Sequence, residues 1–201
     1  VCSSDLNSGR LGELLIPDYD MWLTPVPGSH RKCLYDLTLV DTGNTLVSLD
    51  SRLPNFLFEE AFEAGVLTDF NDFRSMKKEV PYGESRLDIL LHSLTGDCFV
   101  ETKSVTLVEN SVARFPDAPT ARGVKHLNHL SDAKSNGYDA AIVFIIQRSD
   151  AISLQFDGRS DPEFVVALRK SAKNGVKVLA YGCHITNSTI SLSLSIPVDL
   201  Y

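Results

Sequence analysis

The stretch that most constrains the fold is Glu79 to Lys103, EVPYGESRLDILLHSLTGDCFVETK. Two apolar runs, Leu87 to Leu91 and Cys98 to Val100, flank the turn-forming residues Ser93-Leu94-Thr95-Gly96-Asp97, a pattern that predicts a β-hairpin. Side chains alternate across a strand, so Glu101 and Lys103 share one face and Thr102 points to the other. Asp88 stands inside an otherwise apolar strand, where an ionised carboxylate is costly without a partner or a metal. Asp88, Glu101 and Lys103 can therefore converge from two paired strands. The carboxylates are hard oxygen ligands suited to Mg²⁺ or Mn²⁺, and Lys103 can orient a water or neutralise charge at a phosphate. A Glu-x-Lys pair on a strand is also the pattern of a solvated ion pair that contributes little. Asp88, surrounded by apolar neighbours, is what argues for more.

The spacing of Asp88 from Glu101-Thr102-Lys103 is that of the PD-(D/E)xK nuclease signature, which is short and degenerate. Longer segments are more specific: LPNFLFEEAF (Leu53 to Phe62), EVPYGESRLDILL (Glu79 to Leu91), VETKSVTLVE (Val100 to Glu109), FPDAPTARGVKHLNHL (Phe115 to Leu130) and SDPEFVVAL (Ser160 to Leu168). Together they resemble the sugar fermentation stimulation protein family, SfsA, and the likeness runs from Asn7 to the C-terminus. The resemblance implies a DNA-binding protein with a small OB-like β domain joined to a restriction-endonuclease-like mixed-sheet domain. The expected division is residues 1–52 and 53–201, an α/β (α+β) chain overall. The resemblance also singles out Glu60 on the first helix as a carboxylate facing the metal site. The motif Asn7-Ser8-Gly9-Arg10 matches the family near its start, which places Arg10 among the nucleic-acid contacts. The chain is expected to begin inside its first domain, and Val1 to Leu6 reads as the translated end of a sequencing adapter, so Cys2 and Asp5 enter no functional reading.

Leu11 to Asp50 shows short strand signals in GELLIPDYD, in MWLTPV and, after Pro27-Gly28, in RKCLYDLTLVDTGNTLVSLD, where Asp41-Thr42-Gly43-Asn44 marks a hairpin. On an OB-type surface Trp22 and Tyr35 would stack on bases while Arg31 and Lys32 meet phosphates. The two aromatics serve equally well as core or boundary residues. Leu53 to Asp69 turns helical, with Pro54 near the start and Gly65 as a stop. Met76 to Tyr82 reads as a strand interrupted by Glu79, which is expected to pair with Arg86 across the hairpin. Arg86 lies two residues before Asp88, hence on the same face, and can meet a phosphate.

Phe115 to Thr120 is too rich in proline for a helix or central strand and reads as a loop leading into a helix capped near Thr120. Arg122, Lys125, His126 and His129 then follow i, i+3, i+4 and i+7 spacing, one basic stripe beside an acidic site. A phosphodiester substrate needs this pairing of a metal for the scissile phosphate with cations for its neighbours. Asp139 to Gln147 reads as a buried central strand, Asp161-Pro162 opens a helix ending at Lys173, and Val176 to Cys183 reads as a last buried strand.

A net charge of −7 excludes a uniformly basic nucleic-acid coat. Through Lys78 there are 7 basic and 12 acidic residues, and from Glu79 onward 12 and 14, so any nucleic-acid surface is a local patch. No apolar run suits a membrane span or secretory signal. The four cysteines, lacking C-x-x-C spacing, read as reduced thiols of a cytoplasmic protein. The leading expectation is a Mg²⁺-dependent (or Mn²⁺-dependent) nuclease acting on DNA, or RNA, with symmetric pairing into a homodimer as one way to reach both strands. In this reading Asp88 and Glu101 hold the metal, aided by Glu60, and Lys103 assists the attacking water. Arg86, Arg122, Lys125 and His126 contact phosphates. A non-catalytic DNA-binding regulator of sugar (maltose) metabolism genes and a metal-dependent hydrolase of a small phosphorylated metabolite are the rivals.

Overall fold

The structure, a computed structural model, describes residues 9–27, 33–156 and 158–201. Arg31, Lys32 and Cys2 lie outside the described residues. In chain order the elements are β1 (Asp20–Pro25), β2 (Tyr35–Asp41), β3 (Leu46–Ser48), α1 (Leu53–Glu63), β4 (Ser75–Tyr82), β5 (Ser85–His92), β6 (Asp97–Val105), β7 (Val108–Glu109) and β8 (Val112–Arg114). There follow α2 (Ala121–Ser135), β9 (Asp139–Ile146), β10 (Ser153–Gln155), α3 (Pro162–Lys173), β11 (Lys177–Ile185), β12 (Ile190–Ser195) and β13 (Val198–Asp199).

The continuous apolar run of β9 is buried from Ala140 onward because it lies inside a six-stranded mixed sheet of order β12-β11-β9-β6-β5-β4. There β9 runs parallel to both β6 and β11, whereas the β4–β5–β6 meander and β12 are antiparallel to their neighbours. Strand alternation then divides the core in two. Phe99, Ile142, Phe144 and Ala180 face α2 and α3 through Leu127, Leu130, Phe164 and Leu168, while Val100, Val143, Ile145 and Cys183 face α1 through Leu57, Phe58 and Ala61. Each Val, Leu, Ile or Phe among them contributes roughly 1.5–3 kcal/mol by leaving water.

Helix starts follow local chemistry. The Thr120 side chain accepts a hydrogen bond from Gly123 N (3.1 Å), and Asp161 caps α3 by accepting from Phe164 N (3.0 Å). Asp161 Oδ2 also accepts from Thr120 N (2.7 Å), which ties the starts of α2 and α3 together. Helix α1 stops at Glu63, Gly65 at φ +70° turns the chain, and Thr68–Phe70 forms a separate 3-10 turn rather than a continuation to Asp69.

The N-terminal part is a three-stranded antiparallel sheet β1–β2–β3 over a small core of Leu14, Leu37, Val40, Val47 and Leu49. GELLIPDYD is not a strand as expected. Leu14 N and Leu15 N both donate to Leu11 O, and Asp18 sits at φ 73°, so the segment turns and plugs Leu14 into that core. This sheet docks at Gln147, whose side-chain amide donates to Ser48 O (3.0 Å) while its backbone carbonyl accepts from Ser48 N (3.0 Å). Val176 to Cys183 is not the last strand: β12 extends the main sheet, and β13 joins a small sheet β13-β10-β8-β7. Cys33 is disulfide-bonded, which corrects the expectation of four reduced thiols, whereas Cys98 and Cys183 are free and buried, their thiols pushed up to about 12 by burial. Among the described residues no helix is long and apolar enough to cross a membrane.

Candidate metal centre

The hairpin does what its alternation predicts at Glu101 and Lys103, and something less regular at Asp88. On β6, Lys103 Nζ donates to Glu101 Oε1 at 2.5 Å, with the two side chains 16% and 2% exposed. On β5 the alternation slips: Leu87 packs on the α2/α3 side and Ile89 on the α1 side, although both are odd-numbered. The slip is matched on β4, where Met76 faces the α1 side, Val80 the other, and Glu79 between them adopts φ 53°. This double irregularity turns Asp88 toward β6, where its Oδ2 accepts from Thr102 N at 2.9 Å. The Thr102 hydroxyl lies 3.2 Å from the same oxygen and 2.7 Å from Asn55 Oδ1 on α1.

Asp88, Glu101 and Lys103 thus line one cleft of about 460 Å³, shared with Ser51, Asn55, Thr102, Ser104, the Phe115 to Gly123 region, His126 and, from the N-terminal side, Gly9. Burial, and behind it the charge of Glu101, pushes the Asp88 carboxyl above the ordinary range, against Lys103 and the bonds from Thr102 and Asn55. Burial acts on Glu101 too, but Lys103 and His126 outweigh it and hold that carboxyl below the usual range. The two carboxylates are therefore electrostatically unlike.

His126, 3% exposed, was expected to contact phosphate. It instead makes a hydrogen bond through Nδ1 to Glu101 Oε1. Glu101 Oε1 thereby takes two donors, and Oε2 is buried with no hydrogen-bond partner. An orphaned carboxylate oxygen beside a second carboxylate fits a hard divalent cation. Among the described residues no group of three or more His, Cys, Asp and Glu side chains is placed to hold a metal ion by itself. A cation here would rest on Asp88 and Glu101 and complete its shell with water and substrate oxygens, the way Mg²⁺ is commonly held.

The other predicted residues divide. Arg122 is exposed at the cleft, and its Nε lies 3.4 Å from His126 Nε2. Arg10 is exposed at the edge of the site, its backbone N–H bonded to Asp117 Oδ2 at 3.0 Å. Lys125 leaves the expected stripe to meet Glu84 at 3.8 Å, and His129 packs its ring against Tyr82. Glu60 is exposed and does not line the cleft. The helix presents Asn55 instead, because five residues on is roughly 140° around the axis. Arg86 is exposed and stands opposite Pro81, so neither the expected Glu79 pairing nor a shared face with Asp88 is found; the slip at Asp88 breaks the simple count of two. Trp22 is half-buried on β1 opposite Leu39, and Tyr35 is 47% exposed at the start of β2. Sequence reasoning missed Asn55, Gly9 and the His126–Glu101 bond; only the helical phase of His126 relative to Leu127 and Leu130, which share its buried side, carried a signal.

Residues 52–189 match the family described as the sugar fermentation stimulation protein RE domain, and residues 6–49 match the SfsA N-terminal OB domain. The sugar fermentation stimulation protein homolog of Moorella thermoacetica is 49% identical over 197 residues, covering 96% of this chain and 84% of that protein. The homolog of Desulforamulus reducens is 43% identical over 194 residues, with 96% and 81% covered. A solved structure, Pyrococcus furiosus SfsA in complex with Ca²⁺, superposes with a TM-score of 0.88 at 33% identity, covering 96% of this chain and 83% of that one. With both domains matched and relatives this similar along nearly its whole length, the chain belongs to the SfsA family.

Proposed function

We propose that the cleft hydrolyses phosphodiester bonds in a nucleic acid, DNA in the first instance, with Mg²⁺ or Mn²⁺ held by Asp88 and Glu101. The observation that carries this reading is the buried, partnerless Glu101 Oε2 in a cleft shared with Asp88 and Lys103. The Ca²⁺ complex described for the Pyrococcus furiosus relative supports a hard-cation site in this fold. When bound, such a cation supplies Lewis-acid stabilisation of the charged phosphoryl oxygens and a more acidic water.

The chain's own residues do the rest. Lys103 uses one proton on Glu101 Oε1 and has two more to orient a water or stabilise developing negative charge. Thr102 and Asn55 hold Asp88 in place through their hydrogen bonds. Arg122 and the first turn of α2 line the cleft, where a guanidinium and free helix N–H groups suit the phosphates flanking the scissile one. Arg10, at the edge, extends that contact toward the N-terminal sheet.

The test is incubation with single-stranded DNA, duplex DNA and RNA in Mg²⁺ or Mn²⁺ against EDTA, for wild type and Asp88→Asn. Metal-dependent cleavage lost in the variant is the expected result. Binding without cleavage of any of the three substrates would leave the regulator reading standing and overturn this one.

A further inference from the structure

Arg122, His126 and Glu101 form a chain from the exposed lip of the cleft to its buried carboxylate. Arg122 Nε faces His126 Nε2 at 3.4 Å, and His126 Nδ1 meets Glu101 Oε1. A guanidinium has only donors, so Nε2 must accept and the imidazole carries its proton on Nδ1, which donates to the carboxylate. Arg122 therefore selects the tautomer that serves Glu101. The bond uses only Nε, and a guanidinium has four further N–H donors on its two outer nitrogens.

We propose that this chain couples phosphate binding to cation binding: a nucleic-acid phosphate held by the outer nitrogens of Arg122 fixes the arginine on His126, and His126 then holds Glu101 with Oε2 free for the metal. The inference rests on the nuclease reading and deepens it by assigning how substrate and cation communicate. His126 is a positioning residue, acting through Glu101. Lys103 alone does not suffice, because its Nζ sits on a flexible four-carbon stem and fixes a distance rather than an orientation, whereas the planar ring on rigid α2, 4% exposed at its side chain, fixes both. Orienting partners behind a metal ligand typically change metal affinity by about 10- to 100-fold when removed.

Coupling of this kind is reciprocal, so Ca²⁺ must tighten oligonucleotide binding by the factor with which the oligonucleotide tightens Ca²⁺ binding. The experiment measures the affinity of a short fluorescent single-stranded DNA in EDTA and in Ca²⁺, and the melting shift caused by Ca²⁺ alone. Wild type is expected to bind the DNA about tenfold more tightly with Ca²⁺. Arg122→Lys keeps the charge but not a donor at the Nε position; it weakens binding in EDTA through the lost phosphate contact, and the ratio of the Ca²⁺ to the EDTA affinity, which cancels that loss, should fall from about tenfold toward one. His126→Asn places an amide N–H where Nδ1 was and should keep the Ca²⁺ melting shift, while His126→Gln places it at the other ring position and should lose the shift. An unchanged enhancement in Arg122→Lys, or equal shifts in the two His126 variants, would overturn the coupling. A wild type that binds Ca²⁺ and DNA independently also overturns it while leaving the nuclease reading intact; a wild type with neither a Ca²⁺ shift nor DNA binding overturns both.

Discussion

At Asp88, burial and the neighbouring Glu101 both work against ionisation, so a carboxylate there costs stability unless a cation offsets it. Replacing Asp88 with Asn keeps an acceptor for Thr102 N and removes the charge. The metal-free variant should melt about 2–4 °C higher for each kcal/mol of relief, by the scaling for a chain of this size. It should also lack the rise in melting temperature that the proposed site predicts for wild type in Mg²⁺, an outcome checked by a melting series with and without the metal. The sign in pH follows. A raised carboxyl in the folded state takes up a proton as pH falls through its range, so the metal-free protein gains stability from Asp88 on acidification and the Mg²⁺ shift shrinks. Glu101 moves the other way: its contribution is full above the ordinary carboxylate range and is lost only as pH drops through its lowered value. Glu101 and Lys103 were legible as a pair because alternation holds along β6, whereas Asp88 joins them through an irregularity of β5 that alternation does not foresee. The choice of Asn55 over Glu60 was not, because an acidic helix face reads the same whether it meets a site or solvent.

The bend at Glu79 and Asp88 is the element on which the site depends. It lets Val80 and Leu87 cover α2 and α3 while Met76 and Ile89 cover α1, and it aims Asp88 at β6. Glu79 at φ 53° predicts that Glu79→Val destabilises by about 1–2 kcal/mol while Glu79→Gly is close to neutral, measurable by urea denaturation. At the start of α2, a Cβ on Gly123 would lie 2.8 Å from Thr120 Oγ1 and 3.0 Å from Phe164 Cε2. Gly123→Ala should therefore lose about 1–3 kcal/mol despite better helix propensity, and weaken nucleic-acid binding because Arg122 shares that turn. The caps at Thr120 and Asp161 were visible as sequence signals. The bend was not: an apolar strand with one Asp reads as regular until two matched irregularities shift its faces. The basic stripe divides for a related reason, since Lys125 pairs with Glu84 at the β4–β5 turn and His126 is buried against Glu101.

Across the whole molecule, the N-terminal sheet and the mixed sheet meet at Ser48 and Gln147, and Gly9 and Ser51 bring that junction into the cleft. Gln147→Ala leaves Ser48 O without its amide donor in a buried place, at a cost of about 1–3 kcal/mol. A urea curve should show this loss, and cleavage should fall with it if the junction shapes the site. The α/β layering followed from the β9 run and the flanking helix signals, whereas the docking of the two sheets around Gln147, with the Val47–Arg148 bridge and the Thr45–Ser149 hydrogen bond beside it, left no periodic trace. The most direct test of the proposed metal-dependent centre is single-turnover cleavage by Lys103→Met, with DNA binding and the Ca²⁺ melting shift measured on the same protein. Cleavage lower by about 10²–10⁴-fold with both binding measurements retained is the predicted result. Cleavage at the wild-type rate in Lys103→Met, or cleavage by wild type that persists in EDTA, would contradict it.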